Sequence, residues 1–156
     1  IVPHKSVLFV CSANQCRSPM AEVLFKDLVS RLEPDVMWNI ASAGCWARPN
    51  NLATTTAIEV MKDRGLNLDD HLSQPVTEAL LDQYHLVLVM EEQHKGFILR
   101  NFPDVGKNTH LLYEMVDKQK EIWDPVGMSK QAYENTADEM LRIMKEGFKN
   151  ISTLAS

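Results

Sequence analysis

The sequence predicts an α/β fold, a three-layer sandwich with a doubly wound parallel sheet of four strands. Short apolar runs at Ser6–Val10, Met37–Ser42 and His85–Met90 are continuous rather than alternating, the pattern of strands covered on both faces. Segments with helical periodicity separate them, and strands alternating with helices give right-handed βαβ crossovers. At 156 residues the chain is long enough for one buried core and short for two, so residues 1–156 are read as a single domain.

The elements follow in order. Ile1-Val2-Pro3-His4-Lys5 leads into the first strand, which runs into Cys11. Its apolar stretch falls short of the roughly 7–15 residues of a secretory h-region, and Val10 is not the small residue that cleavage sites prefer. Met20, Leu24 and Leu28 repeat every fourth residue in a helix from Pro19 to about Leu32. Met37–Ser42 is the second strand. Ile58, Val60 and Met61 mark a helix that stops at Arg64-Gly65, a favourable C-terminus. After the third strand, Glu91–Arg100 forms a helix that ends before Phe102-Pro103. His110–Tyr113 is expected as the fourth strand, and Ser129 to about Ile151 as one long amphipathic closing helix.

Composition removes several function classes. Sixteen Lys and Arg against twenty-one Asp and Glu leave a net charge of −5, the wrong sign for a protein that grips nucleic acid by neutralising phosphates. The apolar run Leu86–Met90 is far below the roughly 20 residues of a membrane span, so no membrane insertion is expected. Three cysteines, an odd number, make no disulfide framework and point to a reducing, cytoplasmic setting. The five histidines are scattered without ligand spacing, so neither a metal nor another cofactor is expected.

The informative segment is Cys11-Ser12-Ala13-Asn14-Gln15-Cys16-Arg17-Ser18-Pro19. A strand ends on Cys11, a short polar loop follows, and Ser18-Pro19 is expected to open a helix as a hydroxyl N-cap followed by proline at the first helical position. Loop amides, a helix N-terminus and the planar fork of Arg17 then converge on one point and make an anion cradle, a phosphate-binding loop after the first strand. A thiol held there is a nucleophile aimed at phosphorus, and attack gives a cysteinyl-phosphate that splits one hard hydrolysis into two steps.

Cys11-(five residues)-Arg17-Ser18 at the N-terminus, with Cys16 directly before the arginine, resembles the low-molecular-weight protein tyrosine phosphatase family. Ser42-Ala43-Gly44, His71 ahead of Gln74-Pro75, and Trp123-Asp124-Pro125 before the last helix fall where that family has counterparts. The resemblance implies hydrolysis of phosphotyrosine proteins and aryl phosphates. It makes Cys11 the nucleophile, Arg17 the phosphoryl grip and Asp124 the general acid that protonates the leaving phenolate and later activates water. Ser12, Ala13, Asn14, Gln15, Cys16 and Ser18 would line or shape the phosphate site, with Ser42 and His71 supporting the loop by hydrogen bonds. Asn14 suits a left-handed backbone.

Some positions depart from the family pattern. Ala13 stands where glycine is usual, so the loop there is expected to use a conformation open to both. Gln74 replaces a common arginine. Val126-Gly127 follows Asp124-Pro125 in place of paired tyrosines, and the tail resembles bacterial members. Trp46, after Ser42-Ala43-Gly44, is the expected aromatic wall for the substrate ring. Cys16 is expected to trap oxidised Cys11 as a disulfide. Two competing readings are thioredoxin-coupled arsenate reductase and a silent phospho-binding protein. The first lacks two relay cysteines in residues 70–100, and the second is disfavoured because Cys11, Arg17 and Asp124 are all present.

Overall fold

In the computed structural model, which describes residues 4–156, β1 (His4–Cys11) lies at the centre of a four-stranded parallel sheet. β2 (Met37–Gly44) pairs on one side of it; β3 (Leu86–Val89) pairs on the other and is followed outward by β4 (Thr109–Leu111), giving the order β2-β1-β3-β4. The expected doubly wound α/β sandwich is what forms. The expectation for Ile1, Val2 and Pro3 lies outside the described residues.

Alternation along β1 explains the three layers. Val7 and Phe9 face a core shared with Met20, Leu24 and Phe25 of α1 (Arg17–Leu32) and with Met140 and Met144 of α5 (Lys130–Glu146). Leu8 and Val10 face the other way, onto Leu81 of α3 (Glu78–Leu81) and Ile98 of α4 (Glu92–Asn101). Both faces of the strand are buried, which is why its sequence reads as an apolar run. α2 (Thr55–Asp63) joins the first layer through Ala57, Val60 and Met61.

Three local expectations are corrected, and one short helix was not expected. The first helix begins at Arg17 with Cys16 as its N-cap, which makes no side-chain capping bond; Ser18 is already inside the helix. Its hydroxyl is drawn inward instead, and Pro19 is tolerated because amides of the first turn lack helical acceptors in any case. The fourth strand spans only Thr109–Leu111, and Leu112–Val116 turns into a 3-10 helix that buries Tyr113 and Met115. The closing helix divides at Gly147 into α5 and α6 (Phe148–Leu154). A Cβ at Gly147 would sit 2.7 Å from the Met115 carbonyl oxygen, so the 3-10 turn and the helix meet backbone to backbone there. Lastly, α3 has a single turn, too short to leave a periodic signal, and is started by Thr77, whose hydroxyl accepts from the Leu80 amide at 3.1 Å.

Candidate active site

β1 is the strand from which the chain departs first to one side and later to the other, and ligand crevices in open α/β sheets form beyond the carboxyl end of such a strand. The loop of residues 12–16 occupies that position. Its carbonyls are tied outward: Ser12 O accepts from the Trp46 amide (2.9 Å), Gln15 O from the Thr54 amide (2.8 Å), and Asn14 O pairs with His71 Nε2 (2.7 Å). Among the described residues no acceptor pairs with the backbone N–H groups of residues 12–16, so these donors are left for an anion.

Asn14 is the internal brace. Fully buried, it has the left-handed φ of 58° that the sequence favoured, and Ala13 does not, so the missing glycine costs nothing there. The Asn14 amide donates to Ser18 Oγ (2.9 Å) and Ser42 Oγ (3.0 Å), and its oxygen accepts from the Gln74 amide (2.9 Å). Ser42 passes the connection on to Glu22 Oε1 at 2.7 Å. Gln74 also donates through its side chain to Ser42 O (2.9 Å). Gly44 lets the end of β2 approach: a Cβ there would lie 2.6 Å from Ser12 O and 2.8 Å from the Asn14 nitrogen.

Within this frame Cys11 Sγ lies 3.0 Å from Ser18 Oγ, at the start of α1 and its positive dipole end. Arg17 is 2% exposed, and its Nη1 donates to Glu91 Oε2 (2.5 Å) and to the Ile122 carbonyl (2.7 Å). Its Nη2 stands 3.6 Å from Asp124 Oδ2. Burial works to raise Glu91, but the bond and charge of Arg17 outweigh it and hold the carboxyl below the usual range. Burial, helped by the charges of Cys11 and Asp124, pushes the Cys16 thiol far up, so Cys16 stays protonated.

Cys11, Arg17 and Asp124 line one cleft of about 140 Å³, together with Ser12, Ala13, Gln15 and Cys16 of the loop. Residues from both ends of the chain therefore meet in one place. Thr54 and Val126 complete the lining. Asn14, Ser18, Ser42 and His71 stand behind the loop as its hydrogen-bonded support. Trp46 lies outside the cleft's lining: its ring packs on Phe97 (centroids 5.5 Å apart) and His94 (5.8 Å) of α4, while half of it remains exposed. The three cysteines are free thiols. Among the described residues no group of three or more His, Cys, Asp or Glu is arranged to hold a metal ion.

A family model described as low molecular weight phosphotyrosine protein phosphatase matches residues 6–153. The chain belongs to that family. A protein-arginine-phosphatase of Bacillus subtilis is 38% identical over 146 residues, covering 93% of this chain and 95% of its own. The low molecular weight protein-tyrosine-phosphatase Etp of Escherichia coli K12 is 31% identical, with 94% and 95% covered. Among solved structures, a YwlE mutant from B. subtilis superposes with a TM-score of 0.88 at 36% identity, covering 94% and 98% of the two chains. The low molecular weight protein tyrosine phosphatase of T. tengcongensis gives 0.87 at 33%, covering 94% and 99%. Membership makes the chain a phosphatase of the low molecular weight class.

Sequence reasoning missed Glu91 and His94. Both stand where β3 passes into α4, beside the carboxyl end of β1, and the rule that ligands sit beyond strand ends could have flagged them. The scattered spacing of the histidines carries no such signal. No helix among the described residues is long and apolar enough to cross a membrane.

Proposed function

We propose that the chain hydrolyses phosphotyrosine in proteins, and aryl phosphates generally, through a phosphocysteine intermediate. The observation that carries the reading is the single cleft in which the Cys11 thiol, the buried Arg17 guanidinium and the Asp124 carboxyl group meet. In this reading the dianionic phosphoryl group settles onto the loop amides and replaces Glu91 and Asp124 as the partner of Arg17. The thiolate, supported by Ser18 Oγ, attacks phosphorus; the P–O bond to the leaving phenol breaks as Asp124 delivers its proton. Asp124, now a carboxylate, takes a proton from water, which displaces phosphate from sulfur and frees the thiolate. Arg17 and the amides hold the charge spread over the equatorial oxygens throughout.

A second reading, phosphoarginine as substrate, is favoured by two observations. One relative at 38% identity carries the name protein-arginine-phosphatase, and among the described residues no aromatic ring lines the cleft, whose walls hold the polar Gln15 and Thr54. Matched peptides bearing phosphotyrosine or phosphoarginine decide between them. At least a tenfold higher kcat/KM on phosphotyrosine is expected, and the opposite ratio assigns the cleft to phosphoarginine. Cys11→Ser and Arg17→Ala are expected to abolish turnover of either while leaving the fold intact. A clean Cys11→Ser protein within tenfold of wild type would overturn the covalent mechanism.

A further inference from the structure

His94 is fully buried at the third position of α4, and its two ring nitrogens have assigned partners. Nδ1 lies 3.1 Å from the Glu91 amide, which can only donate, so Nδ1 is the nitrogen without hydrogen. Nε2 therefore carries the hydrogen and gives it to Ser12 Oγ at 2.8 Å. Burial, and next the charge of Arg17, push the imidazole down to about 4, so this neutral form persists at neutral pH. Ser12 directly follows Cys11 and lines the cleft. Its oxygen receives from His94, and among the described residues no acceptor takes the hydrogen of its hydroxyl.

Resting on the phosphatase reading above, we propose that His94 positions the Ser12 hydroxyl as an additional hydrogen-bond donor to the phosphoryl group in the cradle. The imidazole occupies the lone pair that faces the protein, which leaves the O–H free to turn toward an anion bound in the cleft. Capping α4 needs Nδ1 alone, as in a capping box where the third residue reaches back to the N-cap amide. The Nε2 contact adds nothing to that cap. Asparagine at 94 can imitate Nδ1 but not reach Ser12, whereas glutamine can imitate Nε2 and abandons the cap.

The test is calorimetric titration of wild type and variants with inorganic phosphate, with Tm and turnover of an aryl phosphate measured alongside. Ser12→Ala is expected to weaken phosphate binding about tenfold, the scale of a hydrogen bond to a charged group, and Ser12→Thr by less than about threefold. His94→Asn is expected to weaken it roughly three- to tenfold in the wild-type background and less than about twofold on top of Ser12→Ala. His94→Gln is expected to lose Tm while binding phosphate within about threefold of wild type, and it decides the matter should His94→Asn fail to fold. Unchanged binding in Ser12→Ala, an equal loss from His94→Asn in both backgrounds, or no saturable phosphate binding to wild type would each overturn the proposal. An inactive wild type that still binds phosphate with this pattern would count against the catalytic reading and leave the positioning role standing.

Discussion

Asp124 keeps its side chain 46% exposed at the mouth of the cleft, with Oδ1 accepting from the Val126 amide at 3.0 Å and Oδ2 turned toward Arg17. A carboxyl so placed can meet both a leaving group and water. Asp124→Asn is expected to slow phenolate leaving groups of high pKa by roughly 10²–10⁴-fold and activated ones much less, because proton delivery matters in proportion to leaving-group basicity. A Brønsted series checks this; equal losses across it would make Asp124 a positional residue. Trp46 presents a different balance. Phe97 and His94 already occupy its ring, and its backbone amide holds Ser12 O, so Trp46→Ala is expected to reduce Tm and to affect aryl and alkyl phosphates alike. A selective loss on the aryl compound would restore it as a substrate wall.

At the scale of elements, the strand–loop–helix unit was legible because each part has a local cause: an apolar run, polar turn residues, and Asn14 where a left-handed backbone is needed. The start of α1 differs from the local signal, because a hydroxyl next to proline reads as an N-cap whereas the helix begins at Arg17. The pull of Cys11, Asn14 and Ala43 O on Ser18 comes from residues distant in the chain or across the loop. The break at Gly147 has a similar origin. Periodicity runs on through it, and only the approach of Met115 demands a residue without a side chain. Gly147→Ala, otherwise favourable in a helix, is expected to destabilise by about 1–3 kcal/mol, because the added methyl meets rigid backbone rather than a flexible side chain. Chemical denaturation measures it; a more stable variant would show that the 3-10 turn can retreat.

Over the whole molecule, the buried site sets how stability depends on acidity. In the unfolded chain His94 takes up a proton near its ordinary 6.5, whereas in the fold burial and Arg17 delay this to about 4. Protons therefore favour the unfolded state across that window, and folding stability is expected to fall as pH drops from about 6.5 to 4, by on the order of 3 kcal/mol. The carboxyls of Glu33, Glu91 and Glu114 act below that. Burial would raise each, but the Ser152 and Lys5 bonds at Glu33, Arg17 at Glu91 and Lys95 at Glu114 hold them down. Their stabilisation is present above about 4.5 and lost as pH falls through their lowered values. Denaturant midpoints of wild type and His94→Asn between pH 7 and 4 separate the two effects. The variant is expected to lose the upper part of the slope, and parallel curves would refute the assignment to His94.

The sequence by itself determined the sheet, its parallel sense and the phosphate loop, since a continuous apolar run and a Cys11-to-Arg17 loop ahead of a helix are local patterns with local physical causes. It also placed Asp124 in the site, although that inference needed the family pattern, because Asp-Pro alone reads as a turn. Tertiary structure alone decided that Glu91 grips Arg17, that a buried His94 meets Ser12, and that Trp46 is taken up by α4. These are contacts across long stretches of chain, where partners are chosen by which strand ends lie side by side, and a periodicity of two or of 3.6 residues carries no record of that choice.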